Sequence, residues 1–244
     1  MNLHIYENDT ALARGAAGMV ADALRSNPTL KLGLPTGSTP LGLYSQLIHL
    51  HHTEALSFAQ ASFFNLDEYV GLPRNHPQSF NTYMHRYLYN FVDANEERIY
   101  IPRGWAEDPA EATQEYATLL AQHQPLDLLV LGIGTNGHIG FCEPGTPWDK
   151  ICCLVELLPE TREANARHFA EESQEVPRLA ITMGIAAMRQ ARQVMLLAMG
   201  SDKAEIIRQA LQEPQTVDLP ASALQFHTNF QVLLDQKAAA LLQL

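Results

Sequence analysis

Apolar residues follow two alternating rhythms along the chain. Short continuous apolar runs have the length of buried strands, and the segments between them repeat apolar positions every three or four residues, as on one face of a helix. Leu3–Tyr6 reads as a first strand, and Asp9 or Thr10 is expected to cap a helix to about Leu24 whose apolar face is Ala13, Ala16, Ala17, Val20 and Leu24. Leu30–Leu34 predicts a second strand, followed by a helix striped by Leu43, Tyr44, Leu47 and Ile48. A third strand is expected at Ala61–Leu66, then a helix capped by Ser79 and carrying Tyr83, Tyr87, Leu88 and Phe91. Arg98–Ile101 reads as a weak strand, and Asp108-Pro109 opens a helix ending near Gln122. The run Leu128-Leu-Val-Leu131 is apolar enough to be a strand buried on both faces.

Beyond Pro144 the rhythm loosens. Gly145–Leu154 reads as a loop, and Glu163–Phe169 as a short helix in a polar segment that is expected to act as a mobile lid spanning about 153–182. Strands are expected at Leu179–Thr182, Gln193–Met199 and Asn229–Leu234, and helices at Ile185–Arg189, Gly200–Gln212, Ala221–Phe226 and Lys237–Leu244. Strand and helix thus alternate from end to end, which predicts a single three-layer α/β/α domain over 1–244, with a Rossmann-like, doubly wound, mostly parallel sheet.

Composition narrows the function classes. At 244 residues the chain can bury a sizeable core, and no apolar run approaches the roughly 18 residues needed to span a bilayer. The first ten residues have neither a basic region nor an apolar one of the secretory kind, which points to the cytoplasm. Three cysteines, two of them adjacent, make a poor disulfide framework and lack zinc-ligand spacing. A formal net charge of -11 without a basic stripe argues against nucleic acid, although an anionic small molecule can still bind where cations and helix N-termini converge.

Candidate chemistry lies where predicted strands end. After Leu131 the chain breaks into Gly132, Gly134 and Gly137 and presents Asn136, His138 and Glu143, a grouping in which an imidazole can move a proton while an amide or carboxylate fixes its tautomer. Pro35-Thr-Gly-Ser-Thr-Pro40, between a strand and a helix, reads equally as a phosphate loop using Thr36, Gly37, Ser38 and Thr39 and as a tight capped turn. At the end of the third strand stand Asp67 and Glu68; neighbours on extended backbone point to opposite sides, so only one can face a ligand, as a general base or as an ordinary capping acid. Arg167 and Lys203 are cations near predicted helix starts or loops on the same side, where each taken alone reads more readily as a surface charge than as a ligand contact. His49, His51 and His52 lack the carboxylate pattern of a metal site, and Cys152-Cys153 reads as packing.

Taken in order, Gly33–Pro40, Asn65–Leu72, Gly132–Phe141 and Glu143-Pro144 resemble the glucosamine-6-phosphate deaminase family. The resemblance continues through Thr161–Arg167, Ala180-Ile-Thr-Met-Gly184, Gly200–Lys203 and Pro220–Leu224, and so covers nearly the whole chain. It implies conversion of glucosamine 6-phosphate and water to fructose 6-phosphate and ammonia, without a metal or organic cofactor. It further implies that Asp67 moves the C2 proton and that His138 opens the sugar ring, oriented by Asn136 and Glu143. The phosphate would lie on the turn from Thr36 through Gly37 and Ser38 to Thr39, with Arg167 and Lys203 supplying charge. Cys142, beside Glu143, is expected to be a weak hydrogen-bonding neighbour. The partner implied is a small sugar phosphate, with a homo-oligomer possible. Galactosamine-6-phosphate deaminase, 6-phosphogluconolactonase and a silent sugar-phosphate sensor are the competing readings; Tyr69 and Ile139 depart from the lactonase pattern.

Overall fold

A computed structural model describes residues 1–169 and 175–243, apart from the side chains of residues 167 and 168. The strands are β1 (Asn2–Tyr6), β2 (Lys31–Leu34), β3 (Ser62–Asn65), β4 (Asp67–Tyr69), β5 (Ile99–Tyr100), β6 (Leu128–Leu131), β7 (Cys152–Glu156), β8 (Leu179–Met183), β9 (Val194–Ala198) and β10 (Phe230–Asp235). The α-helices are α1 (Asp9–Ser26), α2 (Leu41–Glu54), α3 (Phe80–Tyr87), α4 (Pro109–His123), α5 (Pro159–Phe169), α6 (Ile185–Gln190) and α7 (Ala204–Gln212). Seven strands form a parallel sheet in the order β1-β10-β9-β6-β2-β3-β5.

The alternation of side chains along a strand explains why the sheet is covered on both faces. Leu129 and Leu131 of β6 enter one core with residues of α4, α6 and α7, whereas Leu128 and Val130 enter another with α1, α2 and α3. The same split recurs in β9, where Val194, Leu196 and Ala198 face the first core and Met195 and Leu197 the second. This is the doubly wound arrangement expected from the sequence. Among the described residues no helix is long and apolar enough to cross a membrane.

Local chemistry sets several boundaries. The Asn8 side chain accepts the Ala11 N–H, so α1 is capped by Asn8 rather than by Asp9 or Thr10. Ser79 caps α3 through the Thr82 N–H, and Asp108 caps α4 ahead of Pro109, both as expected.

Three expectations need correction. The stretch read as a loop to Leu154 contains the start of β7, and Asp67 opens a strand of its own. β4, β8 and β7 form a second, antiparallel sheet in the order β4-β8-β7, which a continuous alternation of strand and helix does not predict. The expected C-terminal helix is a set of turns, whose path is fixed when the Asp235 carboxylate accepts the Ala238 N–H. Residues 170–174, within the expected lid, lie outside the described residues.

Candidate active site

From β2 the chain winds outward through β3 and β5, and from β6 it winds the opposite way through β9 and β10, so the strand order reverses between β2 and β6. Loops diverge at such a reversal and leave a crevice beyond the carboxyl ends of the strands. A cavity of about 370 Å³ opens there, between the turn after β2 and the turn after β6.

The turn after β2 supplies Thr36, Gly37, Ser38 and Thr39 to the cavity wall. Gly37 has φ of 92°, a conformation that a side chain would strain. Two tyrosines hold the carbonyls of the turn: Tyr44 donates to Pro35 O, and Tyr83 donates to Gly37 O at 2.5 Å. No acceptor among the described residues engages the backbone N–H groups of residues 37–39. Together with the start of the 14-residue α2, these open donors form the kind of wall that can accept an anion. Lys203 lines the same cavity from the short turn Ser201–Lys203. That turn is held in place because the Gly200 N–H donates to both carboxylate oxygens of Asp235, at 3.1 and 3.2 Å. Asp202, which the sequence did not single out, also lines the wall, with its carboxylate 3.8 Å from the Lys203 ammonium. Arg167 falls on α5, but its side chain lies outside the described residues.

On the opposite wall the two adjacent carboxylates divide as extended backbone requires. Asp67 lines the cavity, whereas Glu68 turns away and accepts the N–H groups of Tyr69, Phe80 and Asn81, each at 2.9 Å. Both are buried. Desolvation, and then the neighbouring Glu68 charge, pushes the Asp67 carboxyl up to about 8. Desolvation raises Glu68 to about 7, against the pull of its three backbone hydrogen bonds.

His138 stands on the turn after β6, and its tautomer follows from its neighbours. Asn136 Nδ2 donates to Glu143 Oε2 at 2.9 Å, because a carboxylate can only accept; Asn136 Oδ1 is therefore the acceptor facing His138 Nδ1 at 2.7 Å. The His138 backbone N–H donates to the same oxygen at 3.2 Å. The proton of the neutral ring thus sits on Nδ1, and Nε2 has no partner among the described residues. Burial lowers the His138 pKa; the Glu143 carboxylate, 3.7 Å from Nδ1, opposes that shift and Lys203 adds to it.

Gly134 packs flat against this imidazole, so a Cβ there would lie 2.2 Å from Cε1. Glu143 is buried behind Asn136 and is not itself part of the cavity wall. The Cys142 thiol points away from Glu143 and donates to Met183 O at 3.3 Å.

The structure therefore gathers Thr36, Gly37, Ser38, Thr39, Asp67, Asn136, His138 and Lys203 around one cavity, with Glu143 directly behind. Residues that sequence reasoning passed over include Phe80, Thr161 and Asn165. Thr161 and Asn165, four residues apart on α5, share one helical face and lie in the Thr161–Arg167 motif of the resemblance, where only Arg167 was given a role. Chemically, the cavity can hold an anion at one end. It can also exchange a proton at His138 Nε2 and a second at Asp67.

Known proteins match the chain along nearly its whole length. The family described as glucosamine-6-phosphate isomerases/6-phosphogluconolactonase matches residues 7–233. The chain belongs to this family. It is 42% identical to a glucosamine-6-phosphate deaminase of Bacillus pumilus, over 99% of this chain and 100% of the relative. Identity to the Rhodopirellula baltica glucosamine-6-phosphate deaminase is 43%, over 98% and 94% respectively. A solved structure of a monomeric glucosamine-6-phosphate deaminase superposes with a TM-score of 0.95 at 41% identity, covering 99% of this chain and 100% of that one. The 6-phosphogluconolactonase of Leishmania guyanensis shares the fold, with a TM-score of 0.76 at 22% identity over 97% of each chain.

Proposed function

We propose that this family member is a glucosamine-6-phosphate deaminase, converting glucosamine 6-phosphate and water to fructose 6-phosphate and ammonia. The observation that carries this reading is the joint placement of an anion turn, a buried Asp67 and a His138 whose Nε2 is left open by the Asn136–Glu143 chain. Ring opening needs one group that both gives and takes a proton near neutral pH, which an imidazole held in one tautomer does well. Enolisation needs a carboxylate at C2 on a separate wall, where Asp67 lines the cavity.

In the proposed sequence the phosphate binds the 36–39 turn near Lys203, and His138 Nε2 takes the proton of the C1 hydroxyl and passes it to the ring oxygen as the bond from C1 to that oxygen breaks and C1 becomes an aldehyde. Asp67 then takes the proton from C2 and returns it to C1 while a proton of the C2 ammonium passes to the C1 oxygen, leaving a protonated imine at C2 and a hydroxyl at C1; water then hydrolyses the imine to the ketone, releasing ammonia. The C2 ammonium of the incoming sugar lowers the raised Asp67 pKa and favours the carboxylate that abstraction requires. The 42 and 43% identity of the deaminases above supports glucosamine 6-phosphate over the lactone, since the lactonase likeness is one of fold.

The test is ammonia release from glucosamine 6-phosphate by purified protein with no added metal, with galactosamine 6-phosphate in parallel to read the epimer preference. Absence of ammonia from both sugars, together with hydrolysis of 6-phosphogluconolactone, would overturn the proposal. Two further readings belong to it. Glu160, Thr161, Ala164 and Asn165 of α5 line the cavity, so α5 serves as a lid, and bound phosphate ligand should slow amide exchange over 159–169. The likeness to a monomeric deaminase supports turnover without a second copy; sedimentation at assay concentration checks this.

A further inference from the structure

The motif Ala180-Ile-Thr-Met-Gly184 has no part in the roles above, yet most of it lies in β8, between β4 and β7. Three hydrogen bonds converge on two of its residues. The Phe141 N–H donates to Thr182 Oγ1 at 3.0 Å, and the Cys142 thiol donates to Met183 O at 3.3 Å. The Met183 N–H in turn donates to Leu66 O at 2.6 Å. The first two bonds come from the turn that carries His138, and the third reaches the residue before Asp67. Thr182 is also the direct antiparallel partner of Asp67. Gly140 fills the space between: its φ is 57°, and a Cβ there would lie 2.9 Å from Thr182 Oγ1 and 3.4 Å from Asp67 Oδ2.

We infer that Thr182 is a positioning residue, whose hydroxyl oxygen fixes the His138 turn against the strand that carries Asp67. Phe141 and Thr182 are both buried, so without this acceptor the Phe141 N–H has no water to turn to and the turn must shift to find another partner. The Thr182 hydroxyl proton has only a 3.4 Å contact with Met183 O, which makes acceptance from Phe141 the better-formed of its bonds. Two proton transfers, one at oxygen and one at carbon of the same small sugar, require both groups in register, and β8 is bonded to both carriers. The kinetic arm of the test rests on the deaminase reading; the exchange arm does not.

The experiment compares Thr182→Val, which keeps the shape and removes the acceptor, with Thr182→Ser, which keeps the oxygen. Thr182→Val should lower kcat about ten- to hundred-fold with KM within about threefold, and Thr182→Ser should stay within about threefold of wild type in both. By NMR, the Phe141 amide should exchange at least about tenfold faster in Thr182→Val and at the wild-type rate in Thr182→Ser. Unchanged kcat or unchanged Phe141 protection in Thr182→Val would overturn the inference, as would an equal loss in Thr182→Ser. If Thr182→Val does not fold, Thr182→Ala also lacks the acceptor and is held to the same expectations. A wild-type protein that releases no ammonia defeats the deaminase reading alone, and the exchange comparison still decides the role of Thr182.

Discussion

Replacing Gly134 by alanine isolates the imidazole from the rest of the fold. Gly134 has no positive φ, so its backbone accepts alanine without strain; the whole effect is steric. The added Cβ would lie 2.2 Å from His138 Cε1, 2.3 Å from Nδ1 and 2.5 Å from Nε2. Heavy atoms settle near 3.5 Å, so the ring must retreat by about 1 Å. That retreat breaks or stretches the 2.7 Å contact with Asn136 Oδ1, which fixes the tautomer. A displacement of about 1 Å costs on the order of 10²-fold, and complete loss of a general acid–base group about 10²–10⁴-fold. The expected outcome is a kcat for ammonia release about 10²-fold lower or more, with KM changed far less because the phosphate turn is untouched. Single-turnover ammonia assays read the chemical step, and a thermal melt reports whether the fold survives. A Gly134→Ala protein with kcat within about threefold of wild type and an unchanged melt would refute the assignment of ring opening to His138.

Asp67→Asn should retain ligand binding and lose turnover. Because the folded Asp67 pKa of about 8 lies above its unfolded value, the unfolded chain binds fewer protons, and the group's penalty grows as pH rises from the unfolded carboxyl range to about 8. The substitution should therefore raise Tm above pH 8 by roughly 4–8 °C, from about 2 kcal/mol of relieved burial, with the gain shrinking as pH falls through that window. Melts from pH 5 to 9 check the sign. Tyr83→Phe removes the donor to Gly37 O and should raise the inhibition constant of inorganic phosphate about two- to tenfold, measured by competition. Lys203→Met should lower kcat/KM by about 10- to 100-fold and raise the His138 pKa, followed by NMR titration, since Lys203 is one cause of its depression. Gly18→Ala, at a mid-helix position in α1 with open space around it, should stabilise the protein by about 0.5–1 kcal/mol, seen as a small rise in Tm without loss of activity.

The parallel sheet was legible because its strands are buried on both faces and appear as unbroken apolar runs, of which Leu128–Leu131 is the clearest. The antiparallel sheet was not. β4 is three residues long and β7 alternates burial along Cys152–Glu156, so neither produces a run, and their pairing through β8 joins segments more than a hundred residues apart. At the site, glycines beside chemistry-bearing residues at strand ends marked Thr36–Thr39 and His138. The separate tasks of Asp67 and Glu68 were half-legible: the strand period divides the pair, but only the docking of α3 shows that Glu68 is the one that caps a helix. Which group Cys142 bonds was not legible from its place beside Glu143. The carbonyl of Met183, the last residue of β8, accepts from the Cys142 thiol, and no local pattern announces such a partner.

β1 pairs with β10 alone, Asn2 lying opposite Gln231 and Tyr6 opposite Asp235. Among the described residues β1 therefore has no strand partner until β10, more than two hundred residues further along, has been made. At roughly 5–20 residues per second this delay lasts on the order of ten seconds or more, during which α1 must shelter its apolar face on a sheet that lacks its final strand. β10 also ends in Asp235, the residue that holds the Lys203 turn at Gly200. The anion pocket is thus completed by the same late step that closes the sheet, and a nascent chain halted before Phe230 carries its proton-transfer turns without a finished grip on the substrate.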